Sequence, residues 1–440
     1  MDATGDTLSF GLEFEFIIYW KPAAFSVEQG KVNFPATLLG DILLANGIPV
    51  AGRPLPPTTP NPFPGLYLEQ SGWDVGFDST VSEAMMAMFD IRARLPDWDW
   101  DWAPIELRTP VLRFSPAALA HVAAVVSTIT RERRQFRVRV NPTCGLHCHV
   151  GAGVELANNS KAREHAAWVL RRVAQLVWAA DGFLCHLHPP ERAFTRFSES
   201  VRVFANVVFA EVNARNGGWS EGSDEPERFT DALPPRARQG QQRFPALRPE
   251  TCALEGIDRL NRAGVTYNSG ENARSMARRT TITQGVDLLD LCQTSDQVAE
   301  MMEKREDLGG LMRLNYSFHN YTSEQRMWPS FTGTVKFREA AGSLDAEWVV
   351  AWAKICVGIF EFAKTVSEDR FRLVLTRLVR AESVAIGGGR NDYDVVHFLH
   401  DIGCEGAAGV VERRLGTEEE AMRLWFPCDI DFRGPRPIFL

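Results

Sequence analysis

The clearest alternation of apolar and polar positions in this chain comes in short segments where two charged or metal-capable residues flank one apolar residue. The pattern recurs in GLEFEF (Glu13, Glu15), PIELRTP (Glu106, Arg108), GLHCHVG (His147, His149) and TVKFREA (Lys336, Arg338). Successive side chains of a strand point to opposite faces, so each i, i+2 pair occupies one face while Phe14, Leu107, Cys148 and Phe337 enter the other. Four strands of one design are predicted. An ordinary half-exposed sheet also alternates, but its polar face mixes Thr, Lys, Ser and Gln and does not pair carboxylates with histidines and arginines. If the four strands share one sheet, their polar faces gather carboxylates, imidazoles, guanidiniums and a lysine into one basin. Such a basin suits divalent metal and phosphate.

Between these strands the period changes. SPAALAHVAAVVSTITRERR places Ser115 as an N-cap and Pro116 at the first helical position, followed by helix-period apolar residues. SKAREHAAWVLRRVAQLVWAADGFLCHL reads as a long amphipathic helix closed by Pro189-Pro190, and DAEWVVAWAKICVGIFEFAKTV as a helix with a buried face. SGWDVGFDSTV reads as a short hairpin-like pair around Gly76, and APIELRTPVL as a strand ended by Pro110. A turn at Asn141-Pro142 precedes the histidine strand, and MRLNYSFHNY and TGTVKFREAAGSL form two consecutive strands. The proline-rich stretch at about 50–66 is a loop, 215–275 an insertion or mobile cover, and GGGR at 387–390 a flexible loop. From about residue 383, helical pieces around VVHFLHDIG and EEEAMRLWF form a tail.

Strands that arrive in hairpin-like pairs between helices, without regular βαβ alternation, favour an α+β fold. The expected fold is a curved antiparallel sheet with helices packed on one face and a helical C-terminal tail. Neither GxGxxG after a strand nor GxxxxGK[ST] occurs, so dinucleotide and P-loop readings lack their phosphate cradle.

Composition narrows the classes further. With 440 residues and 45% hydrophobic residues the chain can bury a large core, as one large α+β unit or two or three domains. The longest apolar stretches are interrupted by His121, Lys354 and Glu361, so no transmembrane helix and no membrane partner are expected. The acidic N-terminus lacks a basic and an apolar region, which points to the cytoplasm. Eight cysteines without CxxC spacing fit reduced core thiols. A net charge of −8 gives no footprint for nucleic acid, while a small anionic ligand at a local positive pocket is compatible.

Taken in order, these segments resemble the amidoligase family of the glutamine synthetase-like superfamily of carboxylate–amine ligases, over most of residues 9–365. The resemblance rests on the GLEFEF strand, WDVGFDSTV (the family's W…D-x-S) and IELRTPVL (E-L-x-[ST]-P). It continues with NPTCGLHCHVG (C-G-x-H-V-H-V-G), the tryptophan helix followed by PPER, RLNYSF, and TVKFREAAGSLDAEWVVAW (T-x-E-F-R…G-[ST]-L-D…W).

The resemblance implies a catalytic domain over 1–382, with 383–440 as its helical extension. It also implies ATP-dependent amide formation through an acyl phosphate, with Mg²⁺ (or Mn²⁺) on a sheet of glutamine synthetase-like type. Small-molecule or peptide carboxylates and amines would be the substrates. It makes Glu13, Glu15, Glu106 and His147 metal ligands, His149 a phosphate donor, and Arg338 the clamp on the transferring phosphate or adduct oxyanion. Arg313 and Asn315 are weaker candidates for the substrate carboxylate, and Asp78 and Ser79 shape the substrate side, with a turn role for Asp78 as the alternative.

One residue departs from the family. Lys336 stands where T-x-E-F-R has a metal-ligand glutamate, and Glu339 lies on the face of Phe337, away from Lys336 and Arg338. Either the lysine ammonium takes one cation's place in a working ligase, which puts Lys336 among the catalytic residues, or the protein is a weakened relative that binds nucleotide or substrate. A metal-dependent hydrolase is the third reading, and its HExxH signature is absent.

Overall fold

Strand β1, Ser9–Trp20, organises the first part of the chain in this computed structural model. The structure describes residues 8–20, 34–53, 72–81, 101–131, 136–141, 143–152, 166–188, 192, 197–209, 281–304, 313–326, 333–386 and 393–415. These fall into two compact units, one holding the described residues up to 152 with Ala340–Ala353, the other those from 166 to Glu339 and from 354 to 415. The protein is a mixed helix-and-sheet fold with eight described strands whose ladders are antiparallel and open.

In the first unit, strict alternation makes β1 a two-faced strand. Phe10, Leu12, Phe14, Phe16 and Ile18 are all buried and form the apolar face. On one flank β1 pairs with β3 (Asp101–Arg108) from Glu13↔Arg108 to Trp20↔Asp101, and at its start with β4 (Leu112–Arg113). On the other flank it pairs with β5 (Phe136–Arg139) and β6 (Leu146–Gly151). The short β2, Asp74–Gly76, adds to the far edge of β3, with helix α1, Phe34–Ala45, packed beside it. The hairpin expected around Gly76 is therefore a single strand, because its register is fixed by β3 and not by the residues that follow it.

Helix α2, Pro116–Arg131, begins as its sequence predicts, with the Ser115 hydroxyl accepting from the Ala118 amide at 3.2 Å. Its buried residues, Ala118, Leu119, Val122, Val125, Val126 and Ile129, recur at helical spacing and make one packed stripe. Within that stripe lies His121, whose Nε2 accepts from Trp73 Nε1 at 3.0 Å. An indole can only donate, so this imidazole must stay neutral, and burial pushes its pKa down to about 4. With an unfolded value of about 6.5, the neutral form contributes stability that is present above pH 6.5 and lost as pH falls through about 4. Denaturant titrations at pH 7 and pH 5 are therefore expected to show the native chain losing on the order of 1–2 kcal/mol more stability than His121→Gln. Equal losses would contradict the assignment.

The second unit is built around α3, Ala167–Leu184, nearly all of whose residues are buried. The helices Ile282–Asp290 and Ser295–Met302 pack on it, each opened by a capping box, Thr281 with Gln284 and Thr294 with Gln297. Arg172 of α3 lies 4.3 Å from the Phe371 ring and donates to the carbonyls of Ala363 and Val366, closing the C-terminal end of the helix Ala346–Thr365. The helix Glu368–Ile386 buries Phe371, Val374, Leu375, Leu378 and Ala381, and the expected tail contains helices Val395–Asp401 and Glu405–Leu415. The two consecutive strands are shorter than their sequence suggests: β7 is Tyr316–Ser317, followed by a 3-10 turn at His319–Tyr321, and β8 is Thr334–Phe337. They pair antiparallel, Tyr316 with Phe337.

The six described cysteines are buried and unbonded to one another. Among the described residues no helix is long and apolar enough to cross a membrane. The proline-rich stretch from 54, the 215–275 segment, GGGR and EEEAMRLWF lie outside the described residues.

Candidate functional site

Register brings three of the four i, i+2 pairs onto one face of the first unit's sheet. Glu13 of β1 stands opposite Arg108 on one side and His147 on the other, Glu15 stands opposite Glu106, and His149 stands opposite Gly11. Directly paired residues share a face with Cβ atoms roughly 4.5–5.5 Å apart, so this register places these groups within reach of one another. The opposite face of the same strands carries Phe14, Leu107 and Cys148 in the core.

On that polar face, Glu15, Asp78 and Glu106 each offer a carboxylate oxygen, and these oxygens all lie within 4.8 Å of one another. Glu15 and Glu106 are almost buried, at 6% and 9% exposure, so their mutual repulsion is poorly screened. Burial raises the Glu106 carboxyl above its usual range, Arg108 pulls it back through a hydrogen bond, and Glu13 and Asp78 add to the rise. Glu15 Oε2 accepts from the Gly145 amide at 2.7 Å. That amide follows a turn between β5 and β6, where the Cys144 amide donates to the Asn141 carbonyl and Asn141 Oδ1 accepts from the Thr143 amide at 2.9 Å and its hydroxyl at 2.6 Å.

Glu13 is occupied differently. Its two oxygens accept from His147 Nδ1 at 3.0 Å and His149 Nε2 at 2.9 Å, so one carboxylate fixes the orientation of both imidazoles. His147 Nδ1 also lies 3.6 Å from Glu15 Oε1. The His147 ring rests over Gly145, where an added Cβ would sit 2.5 Å from its Nε2. The turn expected as the alternative for Asp78 is present, its Oδ1 accepting from the Thr80 amide and hydroxyl at 2.6 Å, and its carboxylate also joins the triangle. A set of hard, anionic oxygens with imidazole beside it fits Mg²⁺ or Mn²⁺ better than a soft metal.

The remaining predicted residues belong to the second unit. Lys336 and Arg338 alternate with buried Val335, Phe337 and Glu339, as strand geometry required. The Arg338 backbone is braced from both sides, its amide donating to the Asn315 carbonyl at 2.7 Å and its carbonyl accepting from Arg192 Nη2 at 2.8 Å. Asn315 itself is buried, with Nδ2 donating to Asp181 at 2.6 Å and Oδ1 accepting from the Val201 amide at 3.0 Å. Arg313 is half-buried. Glu339 accepts from the Tyr316 hydroxyl, and burial, then the nearby Asp181, hold its carboxyl well above the usual range.

Sequence reasoning put Arg108 in the polar basin without a task of its own, gave no role to Arg192 and put Asp78 on the substrate side. For Asp78 the only local signal was its place two residues beyond a strand end, and the long-range register that carries it to Glu106 could not be read locally. In comparisons with known proteins, no family model matches this chain and no curated protein matches it.

Proposed function

We propose that this protein is an ATP-dependent carboxylate–amine ligase that forms an amide bond through an acyl phosphate. The observation that carries this reading is the triangle of Glu15, Asp78 and Glu106 on a sheet face that also bears His147 and His149. The motif order of the amidoligase family supports it, and a glutamine synthetase-like sheet, ATP, Mg²⁺ (or Mn²⁺) and a cytoplasmic location belong to the same proposal.

A divalent ion bound at the triangle would offset the charge of the ATP phosphates and polarise the γ-phosphoryl group. Glu15, Asp78 and Glu106 would hold that ion, and Glu13 keeps His147 and His149 oriented by accepting an N–H from each. His149 is assigned to the phosphate by resemblance. The reaction balances simply: a substrate carboxylate oxygen attacks the γ-phosphorus as ADP leaves, and the amine nitrogen then attacks the acyl carbon, losing a proton as inorganic phosphate departs. Arg338 is assigned by resemblance to the charge that develops on the phosphoryl group or the adduct oxygen.

Calorimetric titration with ATP should show binding that requires Mg²⁺, and ADP release should require both an acid and an amine from a panel of candidates. Absence of Mg²⁺-dependent ATP binding at millimolar concentration would remove the ligase reading. A weakened relative that binds without turnover is the second reading, favoured by Lys336 at the position of the family's glutamate. In a working ligase adapted to that lysine, Lys336→Glu is expected to lower ADP release, because it removes the cation that, by the resemblance, takes the place of a metal ion. A rise in ATP turnover with tighter Mg²⁺ binding would instead select the weakened reading.

A further inference from the structure

Arg108 sits two residues from Glu106 on the same face of β3 and opposite Glu13 in the register. Its Nη2 donates to Glu106 Oε2, and its Nη1 donates to Asp74 Oδ2 at 3.0 Å. The two carboxylates differ in kind. Glu106 has a side chain only 11% exposed and belongs to the triangle, whereas Asp74 is 51% exposed and stands outside it. A guanidinium stays charged at any working pH and presents its donors as a rigid fork. One arm of that fork therefore neutralises a buried ligand carboxylate while the other is moored at the rim.

We infer that Arg108 is a place-holding cation for the carboxylate triangle and, once a divalent ion takes Glu106, a binding group for the anion carried by that ion. The inference rests on the cation-binding part of the proposed function and not on its ligase chemistry. Entry of an ion to Glu106 displaces the Nη2 arm alone. The Nη1 arm stays on Asp74, so the freed Nη2 donors remain beside the triangle, where a phosphate oxygen could accept a charge-assisted hydrogen bond from them. At 46% exposure the Arg108 side chain can make this move without disturbing the core, and its neighbours Glu13 and Asp74 keep it on the polar face.

The test needs no substrate. Mn²⁺ alone is titrated into the native chain, Arg108→Gln and Arg108→Lys, and inorganic phosphate is then titrated in saturating Mg²⁺, with thermal melting as the check on folding. Removing the competing cation should tighten Mn²⁺ binding in Arg108→Gln by about three- to tenfold, the scale of a partly buried ion pair. The same variant should weaken phosphate binding by about tenfold or more, as expected for a lost charge-assisted hydrogen bond. Arg108→Lys keeps the charge without the fork and should fall between the two on phosphate. Equal Mn²⁺ affinities, or phosphate binding that survives Arg108→Gln, overturns the assignment. Opposite shifts for Mn²⁺ and phosphate in a chain that binds no ATP would uphold Arg108 and remove the ligase reading.

Discussion

Glu15→Gln should abolish divalent-cation binding, and with it Mg²⁺-dependent ATP binding, while leaving the fold intact. Glu15 is the member of the triangle that cannot be spared. It lies on the central strand, flanked by Glu106 across one ladder and by Gly145 on the other side, and is 6% exposed. The amide of glutamine preserves shape and still accepts from the Gly145 N–H, so what is lost is one anionic oxygen from the donor set. A hard cation depends on such oxygens, and changing a group that merely orients a metal ligand already costs about 10–100-fold. A loss of Mn²⁺ affinity of at least about a hundredfold is therefore expected. Melting temperature should hold steady or rise, because the substitution relieves repulsion among buried carboxylates. Calorimetry checks the affinity and a thermal scan checks the fold. Unchanged Mn²⁺ binding in Glu15→Gln would show that the sheet's polar face is not the site.

The polar face was legible because a strand has a period of two, and that period survives in any context where one face is buried. GLEFEF, IELRTP and LHCHV each declared which residues turn away from the core, and the ladders then set Glu13, Glu15, Glu106, His147 and His149 side by side. Asp78 and Arg108 show where local reading stops. Whether Asp78 serves a turn or a triangle depends on the pairing of β2 with β3, a contact across about thirty residues that includes Gly76 opposite Glu106. In the same way, nothing near Arg108 says that its fork will span Glu106 and Asp74, since Asp74 arrives by that same pairing. The helix Glu368–Ile386 was missed for a different reason. Its apolar residues Phe371, Val374, Leu375, Leu378 and Ala381 recur at helical spacing, but seven charged residues among them dilute the hydrophobic signal that marks the neighbouring helix Ala346–Thr365. β7 was overestimated because NYSFHNY carries strand-prone residues, while the Ser317 hydroxyl accepts from the His319 amide at the turn His319–Tyr321 instead of leaving the ladder to extend.

Gly145→Ala should damage the site as severely as loss of a ligand, although Gly145 contributes no charge and no side chain. An added Cβ would stand 2.5 Å from His147 Nε2, 3.1 Å from its Cδ2 and 3.2 Å from Glu15 Oε2, distances at which atoms must move. The imidazole is held by its Nδ1 bond to Glu13, so it cannot swing aside without breaking that bond, and Glu13 in turn orients His149. Nor can the backbone yield cheaply. The Gly145 amide donates to Glu15, its carbonyl accepts from the Glu15 amide at 3.0 Å, and the neighbouring Cys144 carbonyl accepts from Gly342 at 2.8 Å. Gly342 adds a second restraint, because a Cβ there would lie 2.5 Å from that of Cys144, so the segment Ala340–Gly342 is packed close against Cys144 and Gly145. A single methyl group therefore displaces His147 and Glu15 together. Mn²⁺ affinity is expected to fall by about tenfold or more, with a stability loss of about 1–3 kcal/mol from overpacking. The paired variant Gly145→Ala with His147→Ala separates strain from chemistry. Removing the ring should recover much of the stability lost to the methyl group, because the clash is gone, while cation binding stays weak. If Gly145→Ala binds Mn²⁺ as the native chain does, the glycine is not what seats His147 and Glu15 at the triangle.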